Sequence, residues 1–353
     1  MVTKKRYTSP DYLIHPGETL AEILEEKGYS QQELAIRTGV TPKHISNVIN
    51  GKSNITSEFA INLALALDGD HSFWINLQAN YDYEKYIFQQ IDSITNDEKK
   101  IGSEIKNAVE EIEQTRLSKD ENDAILELRQ ILDINNLTAI NNLNYGYYRK
   151  RPDISTNQTI MFVWQYLCEK AVEDQNVDKL DTKRLKSRLP NIKDIMHEDD
   201  EKQFSLIQSE LNSCGIKFIV NKHVKKAPIH GLTVKTKKGN PMIALTTREK
   251  FHDVFWFTLF HEIAHILNDE YDGKINNDAI NNIDNSADRF ARDTLIPKDE
   301  YAHFVRQRQF SDEAISNFAR KIKVIKGIVY GRLMKDKYIP WTRSNFRTRY
   351  EWK

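Results

Sequence analysis

Two histidines stand four positions apart within the stretch FTLFHEIAHILN (residues 257–268), and Glu262 follows the first of them directly. In a helix, at about 100° per residue, His261 and His265 fall on one face one turn apart, where both rings reach a single metal ion. Glu262 is offset beside them and can act as general base on a water polarised by that ion. Zn2+ suits this H-E-x-x-H spacing and brings the pKa of such a water to about 7. The surround is apolar: Phe255, Trp256, Phe257, Leu259, Phe260, Ile263, Ile266 and Leu267. Histidines within so apolar a helix need partners, and a metal supplies one. A pair of satisfied core histidines is the bland alternative.

A catalytic zinc site takes a third protein ligand. Asp284 follows His265 by 19 positions and precedes Asp288 by one helical turn, so both can face the zinc helix. Asp288 would then accept a histidine N–H and fix its tautomer. Asp269, Glu270 and Asp272 are fallback ligands, but they follow the motif too closely for a separate helix to present them.

A second stretch has a different chemistry. Residues 30–51 read SQQELAIRTGVTPKHISNVING. Ser30 suits an N-cap, with Glu33 completing a capping box, and Gly39 suits the left-handed end of that helix. Thr41 caps the next helix and Pro42 sits in its first turn. Ile45, Val48 and Ile49 face inward, leaving Pro42, Lys43, His44, Ser46, Asn47 and Asn50 outward. Two short capped helices around a Gly-containing turn form a helix-turn-helix, whose second helix enters the major groove of double-stranded DNA. Lys43 can meet guanine or phosphate, and Asn47 can pair with adenine.

The remaining pattern says what positions these sites. Residues 1–85 read as short helices punctuated by glycines. Between Ile87 and Ile112 apolar residues recur at alternating spacings of four and three, which predicts an amphipathic helix or short coiled coil within a helical linker, 86–150. Residues 151–353 form the second domain. It is helical over 158–213, with Pro190 as a break, then has three β-branched runs: 215–220, 231–235 and 241–246. Gly239-Asn240-Pro241 suits a hairpin between the last two. An apolar helix follows, about Phe251 to Asn268, and then basic helices. The fold class is α+β, mostly helical.

The pieces S-Q-x-E-L-A, G-V-T and I-S-x-V-I-N-G-K resemble the XRE-type, lambda-repressor-like family. With His15-Pro16-Gly17-Glu18 and Ser72-Phe73-Trp74-Ile75-Asn76-Leu77 they look like HigA-type antitoxins over about residues 10–85. The resemblance implies that Gln31 holds a phosphate, and it places Lys43 and Asn47 among base-reading positions. Downstream, F-W-F-T-L-F-H-E-x-x-H and A-D-x-F-A-x-x-x-L-I-P resemble the ImmA/IrrE metallopeptidases, a zincin-like fold, with the motif core at 215–300. Where that family has Glu, this chain has Asp284, one methylene shorter. Related peptidases cut XRE-type repressors, which implies a peptide or protein substrate: the chain itself, a sister copy or a partner toxin. In such folds the strand nearest the zinc receives substrate as an added strand; Pro241–Thr246 is the candidate. His230 is considered for the oxyanion, with a solvated loop histidine as the alternative.

Composition bounds these readings. The 51 basic and 51 acidic residues balance, which excludes uniform basicity only. Residues 1–80 hold seven basic and nine acidic side chains, a net of −2. A head so charged holds DNA weakly alone, so a homodimer on two half-sites is expected. Residues 82–130 are net −6 and are the expected exposed cleavage zone, while 301–353 are net +9, read as a phosphate clamp, a dock for the acidic segment or an ordinary solvated face. Two cysteines exclude a disulfide scaffold, and neither a signal peptide nor a spanning stretch is apparent. A cytoplasmic protein without a membrane partner is expected. The functional expectation is a DNA-binding regulator of the antitoxin type carrying a zinc endopeptidase-like domain; the alternative is a repressor whose C-terminal domain only binds metal or senses.

Overall fold

Helix caps set up the first part of the chain. A computed structural model describes residues 13–143, 158–222, 224, 229–247, 250–271, 280–341 and 347–350. The chain divides into two units, residues 1–96 and 97–353. The first holds α1 (Pro16–Lys27), α2 (Gln31–Thr38), α3 (Pro42–Ile49), α4 (Ser57–Leu67) and α5 (His71–Asp92). Ser30 Oγ accepts the Glu33 N–H at 3.1 Å, and Thr41 Oγ1 accepts the His44 N–H at 3.2 Å. Gly39 ends α2 at φ 71°, the left-handed conformation that glycine adopts without steric cost. The capping box expected at Ser30 is only half formed, because the Glu33 carboxylate turns to Arg37 at 2.8 Å. A complete one starts α1, around His15 and Glu18. Gly17 is required there: a Cβ would lie 1.9 Å from the Val48 carbonyl oxygen of α3. Leu20, Leu34, Ile45, Val48, Leu63 and Trp74 form the core between these helices.

The second unit begins with α6 (Asn96–Ile112), α7 (Glu121–Ile131), α8 (Gln158–Ala171), α9 (Thr182–Asp194) and α10 (Asp200–Asn212). Strands β1 (Lys217–Asn221), β2 (Gly231–Lys235) and β3 (Pro241–Thr246) follow. Then come α11 (His252–Leu267), α12 (Ile280–Leu295), α13 (Lys298–Arg306), α14 (Asp312–Lys321) and α15 (Lys326–Lys335). The sheet order is β1-β3-β2, with β1 parallel and β2 antiparallel to β3. Leu232, Val234, Met242 and Ala244 share one core with Trp164 of α8 and Ala108 of α6. Phe218, Ile243 and Leu245 share the other with Trp256, Leu259 and Phe260 of α11. The α+β, mostly helical class is as expected, and among the described residues no helix is long and apolar enough to cross a membrane.

Several sequence expectations change. Among the described residues of the segment 86–150, α5 runs on to Asp92 in the first unit, whereas α6 and α7 fall to the second. The heptad spacing is interrupted between Asp92 and Asn96, so no continuous coiled coil forms. Its one charged position, Glu98, is fully buried and takes a two-pronged bond from Arg129, at 2.8 and 2.7 Å. The cleavage zone foreseen at 82–130 is therefore largely helical and partly buried, which is not the extended backbone a protease accepts. Pro190 lies inside α9 without ending it; it and Lys186, whose carbonyl loses its helical donor, are both exposed.

Strand β3, foreseen as the substrate-receiving strand, is the central one, paired on both sides and buried along all six residues. The outer side of β1 is occupied where the Gln175 amide bonds both the N–H and the C=O of Phe218. That leaves β2. His230 and Thr236 bond across to Thr246 and Asn240, so alternation turns the N–H and C=O of Gly231, Thr233 and Lys235 outward. The Lys235 N–H meets the Tyr271 carbonyl at 2.9 Å.

Candidate metal centre and helix-turn-helix surface

Helix α11 carries His261, Glu262 and His265 and packs against α12, β2, β3 and α15. The histidine Nε2 atoms lie 3.1 Å apart, with the rings edge to face at 78°. Each Nδ1 faces a carboxylate: His261 to Asp288 Oδ1 at 2.8 Å and His265 to Glu270 Oε2 at 3.1 Å. The bond from His261 holds the Asp288 carboxyl below its usual range. An ionised carboxylate only accepts, so the nitrogen facing it carries the proton and Nε2 offers its lone pair. Two lone pairs aimed at one point are satisfied by a shared proton or by a cation. Tetrahedral zinc with bonds of about 2.0–2.1 Å separates two nitrogen ligands by roughly 3.3 Å, close to the observed spacing. The spacing of the two nitrogens suits such an ion, although among the described residues no group of three ligating side chains stands together.

Glu262 is buried, and its Oε2 accepts the Thr233 hydroxyl of β2 at 2.6 Å. Its Oε1 lies over Gly231, where a Cβ would come within 2.7 Å of it. The outward-turned residues of β2 therefore also form the seat of this carboxylate. Asp284 lies on α12 one turn before Asp288, hence on the same side of that helix. The side chain of Asp284, and Asp272 altogether, lie outside the described residues.

In the first unit Gln31, Pro42, Lys43 and Asn50 are exposed, while His44, Ser46 and Asn47 are half-buried. His44 sets its ring edge to face against Phe59 of α4 at 4.9 Å, so it packs as well as faces outward. The Asn50 side-chain amide donates to the Ser46 carbonyl at 2.7 Å and to the Ser46 hydroxyl at 3.3 Å, which ties those two residues together at the end of α3. Lys43 and Asn47 remain as the outward pair near the start and middle of that helix.

The family profile described as Helix-turn-helix matches residues 20–74, and the one described as IrrE N-terminal-like domain matches 215–334. Virulence-associated protein A' of Dichelobacter nodosus is 35% identical over 81 residues, 23% of this chain and 70% of that protein. The chain belongs to the helix-turn-helix family. Antitoxin HigA-1 of Vibrio cholerae is 43% identical over 63 residues, 18% of this chain and 59% of its own length. The Pseudomonas aeruginosa antitoxin HigA solved with the higBA promoter is 30% identical, covering 24% of this chain and 97% of that one, at a TM-score of 0.22. Each of these relatives matches less than a quarter of this helix-turn-helix protein, and the IrrE N-terminal-like match lies apart from the helix-turn-helix match.

Within that domain the structure brings His261, His265 and Asp288 together and seats Glu262 against β2. Three neighbours of the centre have places that the sequence did not indicate. Glu270 faces His265 as a partner of Nδ1, where the spacing had suggested only a fallback ligand. Thr233 and Gly231 reach Glu262 because β2, not β3, is the edge strand; the one available signal was the glycine that opens a β-branched run. His230 lies just before β2 and bonds Thr246 through its carbonyl.

Proposed function

We propose that this helix-turn-helix protein is an operator-binding regulator of the antitoxin type whose C-terminal domain is a zinc-dependent endopeptidase. The observation that carries the catalytic part is the pair of Nε2 atoms aimed at one point, each ring held from behind by a carboxylate. The antitoxin part rests on the HigA-like head. Gln31, Pro42, Lys43, His44, Ser46, Asn47 and Asn50 form its DNA surface, as a homodimer on two half-sites. A cognate toxin is the natural protein partner, and the cytoplasm the natural place.

His261, His265 and Asp284 would hold the zinc, and Asp288 orients His261. Bound zinc supplies Lewis acidity to a water and to the scissile carbonyl. Glu262 takes the proton of the attacking water and later delivers it to the leaving amine. An extended peptide lies along the outer edge of β2, where the main chain of Gly231 and Thr233 pairs with it. The Tyr271 carbonyl on Lys235 limits that strand at one end.

The test is incubation of wild type and Glu262→Gln with zinc and a candidate toxin, followed by mass spectrometry. Wild type yields fragments of itself, a sister copy or the toxin; Glu262→Gln yields none while still holding zinc and operator. Absence of any fragment from wild type contradicts the enzymatic part. The second reading, a metal-binding sensor module, is favoured by Asp284 where the resembling family has Glu. It predicts zinc and operator binding without fragments.

A further inference from the structure

Helix α11 ends two residues after its second histidine, and the way it ends matters to the metal centre. Asn268 closes the helix, and Asp269 then adopts φ 59°, left-handed backbone that costs a non-glycine residue about 1 kcal/mol or more. The reversal brings the Glu270 N–H onto the His265 carbonyl at 2.8 Å. It also carries the Glu270 carboxylate to His265 Nδ1 at 3.1 Å. The main chain and the side chain of one residue thus meet the same histidine.

The turn is fixed on two further sides. The Asn268 amide donates to Ser286 Oγ of α12 at 3.2 Å and approaches Glu270 Oε2 at 3.4 Å. The Tyr271 carbonyl accepts the Lys235 N–H from the edge of β2 at 2.9 Å. Several helices of this chain end on a left-handed residue, and at α11 that turn delivers Glu270 to His265.

We propose that Glu270 is a positioning residue of the metal centre, holding His265 with Nε2 toward the ion as Asp288 holds His261. The inference rests on the metal reading of the preceding section. Glu270 is not itself a ligand in this arrangement: its oxygen sits at Nδ1, and the two ring nitrogens point away from each other. Its carboxylate requires Nδ1 to carry the proton, which fixes the tautomer able to bind a cation and raises the basicity of Nε2. His265 is nearly buried and His261 somewhat less so, at 8% and 18% side-chain exposure, so bulk water does little to orient the inner ring. The chain therefore has one orienting carboxylate per histidine, one from a neighbouring helix and one from the helix's own end.

The test is zinc affinity of the full chain, by competition with a chromophoric chelator, for wild type, Glu270→Ala, Glu270→Gln and His265→Ala. Loss of an orienting partner weakens metal binding by roughly 10–100-fold. Glu270→Ala is expected to fall in that range and Glu270→Gln, which still offers an acceptor, to recover part of it. The visible spectrum of the cobalt-loaded protein is expected to keep its shape in Glu270→Ala, because no ligand is lost, and to change in His265→Ala. Unfolding with chelator present shows whether the fold survives each change. Wild-type affinity in a folded Glu270→Ala, or equal losses in the Ala and Gln variants, overturns the positioning role. An altered cobalt spectrum in Glu270→Ala overturns it by making Glu270 a ligand. A wild type that takes up no zinc overturns the metal reading and this inference with it, and is recognised by that first measurement alone.

Discussion

The hydroxyl of Thr233 donates to Glu262 Oε2 at 2.6 Å, joining the edge strand of the sheet to the carboxylate of the H-E-x-x-H helix. The same strand makes room for the other carboxylate oxygen through Gly231. The strand proposed to pair with a peptide thus also seats the carboxylate proposed as general base. Thr233→Val leaves a buried carboxylate oxygen without its donor, at a cost of about 1–3 kcal/mol in thermal unfolding. Thr233→Ser keeps the bond and most of that stability. Gly231→Ala pushes a methyl against Glu262, and loss of fragment yield with zinc content unchanged is the expected outcome.

The face of α3 divides into reading and packing residues. Lys43→Ala and Asn47→Ala are expected to weaken operator binding in fluorescence anisotropy while leaving the melting temperature unchanged. Asn47→Ala additionally relaxes base preference at one position, by about 1–3 kcal/mol if it makes a paired contact. His44→Ala behaves differently, because its ring rests on Phe59. It lowers the stability of the first unit along with DNA affinity.

The basic C-terminal segment is partly spent inside the fold. Arg347 makes a two-pronged bond to Asp253 in the first turn of α11, at 2.9 and 2.6 Å, with both side chains nearly buried. Its guanidinium also lies over Phe251, and the Tyr350 N–H bonds the Lys250 carbonyl at 2.7 Å. Arg347→Ala leaves Asp253 buried and unpaired, with an expected loss of about 3–5 kcal/mol in denaturant unfolding. The salt dependence of DNA binding is expected to keep its slope when Arg347 alone is changed, since its charge is already neutralised.

His15 gives the first unit a dependence on pH. Its Nδ1 accepts the Gly17 N–H at 2.9 Å, and burial pushes its pKa below 6.5. A depressed folded pKa means that stability is complete above about 6.5 and is lost as pH falls from there toward the folded value. Protonation removes the acceptor and hence the cap, worth about 0.5–2 kcal/mol. Melting at pH 7.5 and 5.5 checks this, with His15→Asn, which caps without titrating, expected to show a smaller difference.

Local chemistry was legible in the sequence wherever it governs local structure. Ser30, Thr41 and Gly39 announce the ends of α2 and α3, and the apolar run around His261 announces α11. Helical spacing puts Asp284 and Asp288 on one side of their helix, and the packing of α12 on α11 then brings Asp288 to His261. What escaped depends on tertiary context. Strand order decides that β2 is the edge, and no β-branched run states its own place in a sheet. Glu270 reaches His265 through a left-handed aspartate, a conformation that residue type does not signal as glycine does. The heptad spacing from Ile87 suggested one helix, but its single acid, Glu98, is buried against Arg129 from α7, 31 residues away. Arg347 of the basic tail is already spent on Asp253, 94 positions earlier, a pairing that no local pattern states.

Zinc content per chain tests the central claim most directly. The protein is expressed with zinc supplied, stripped of loosely held metal by gel filtration, and measured by elemental analysis beside His261→Ala and Asp284→Ala. The account predicts about one equivalent in wild type, as in a three-ligand site, and its loss in both variants. Wild type with no retained zinc, or a His261→Ala protein that holds as much as wild type, would contradict it.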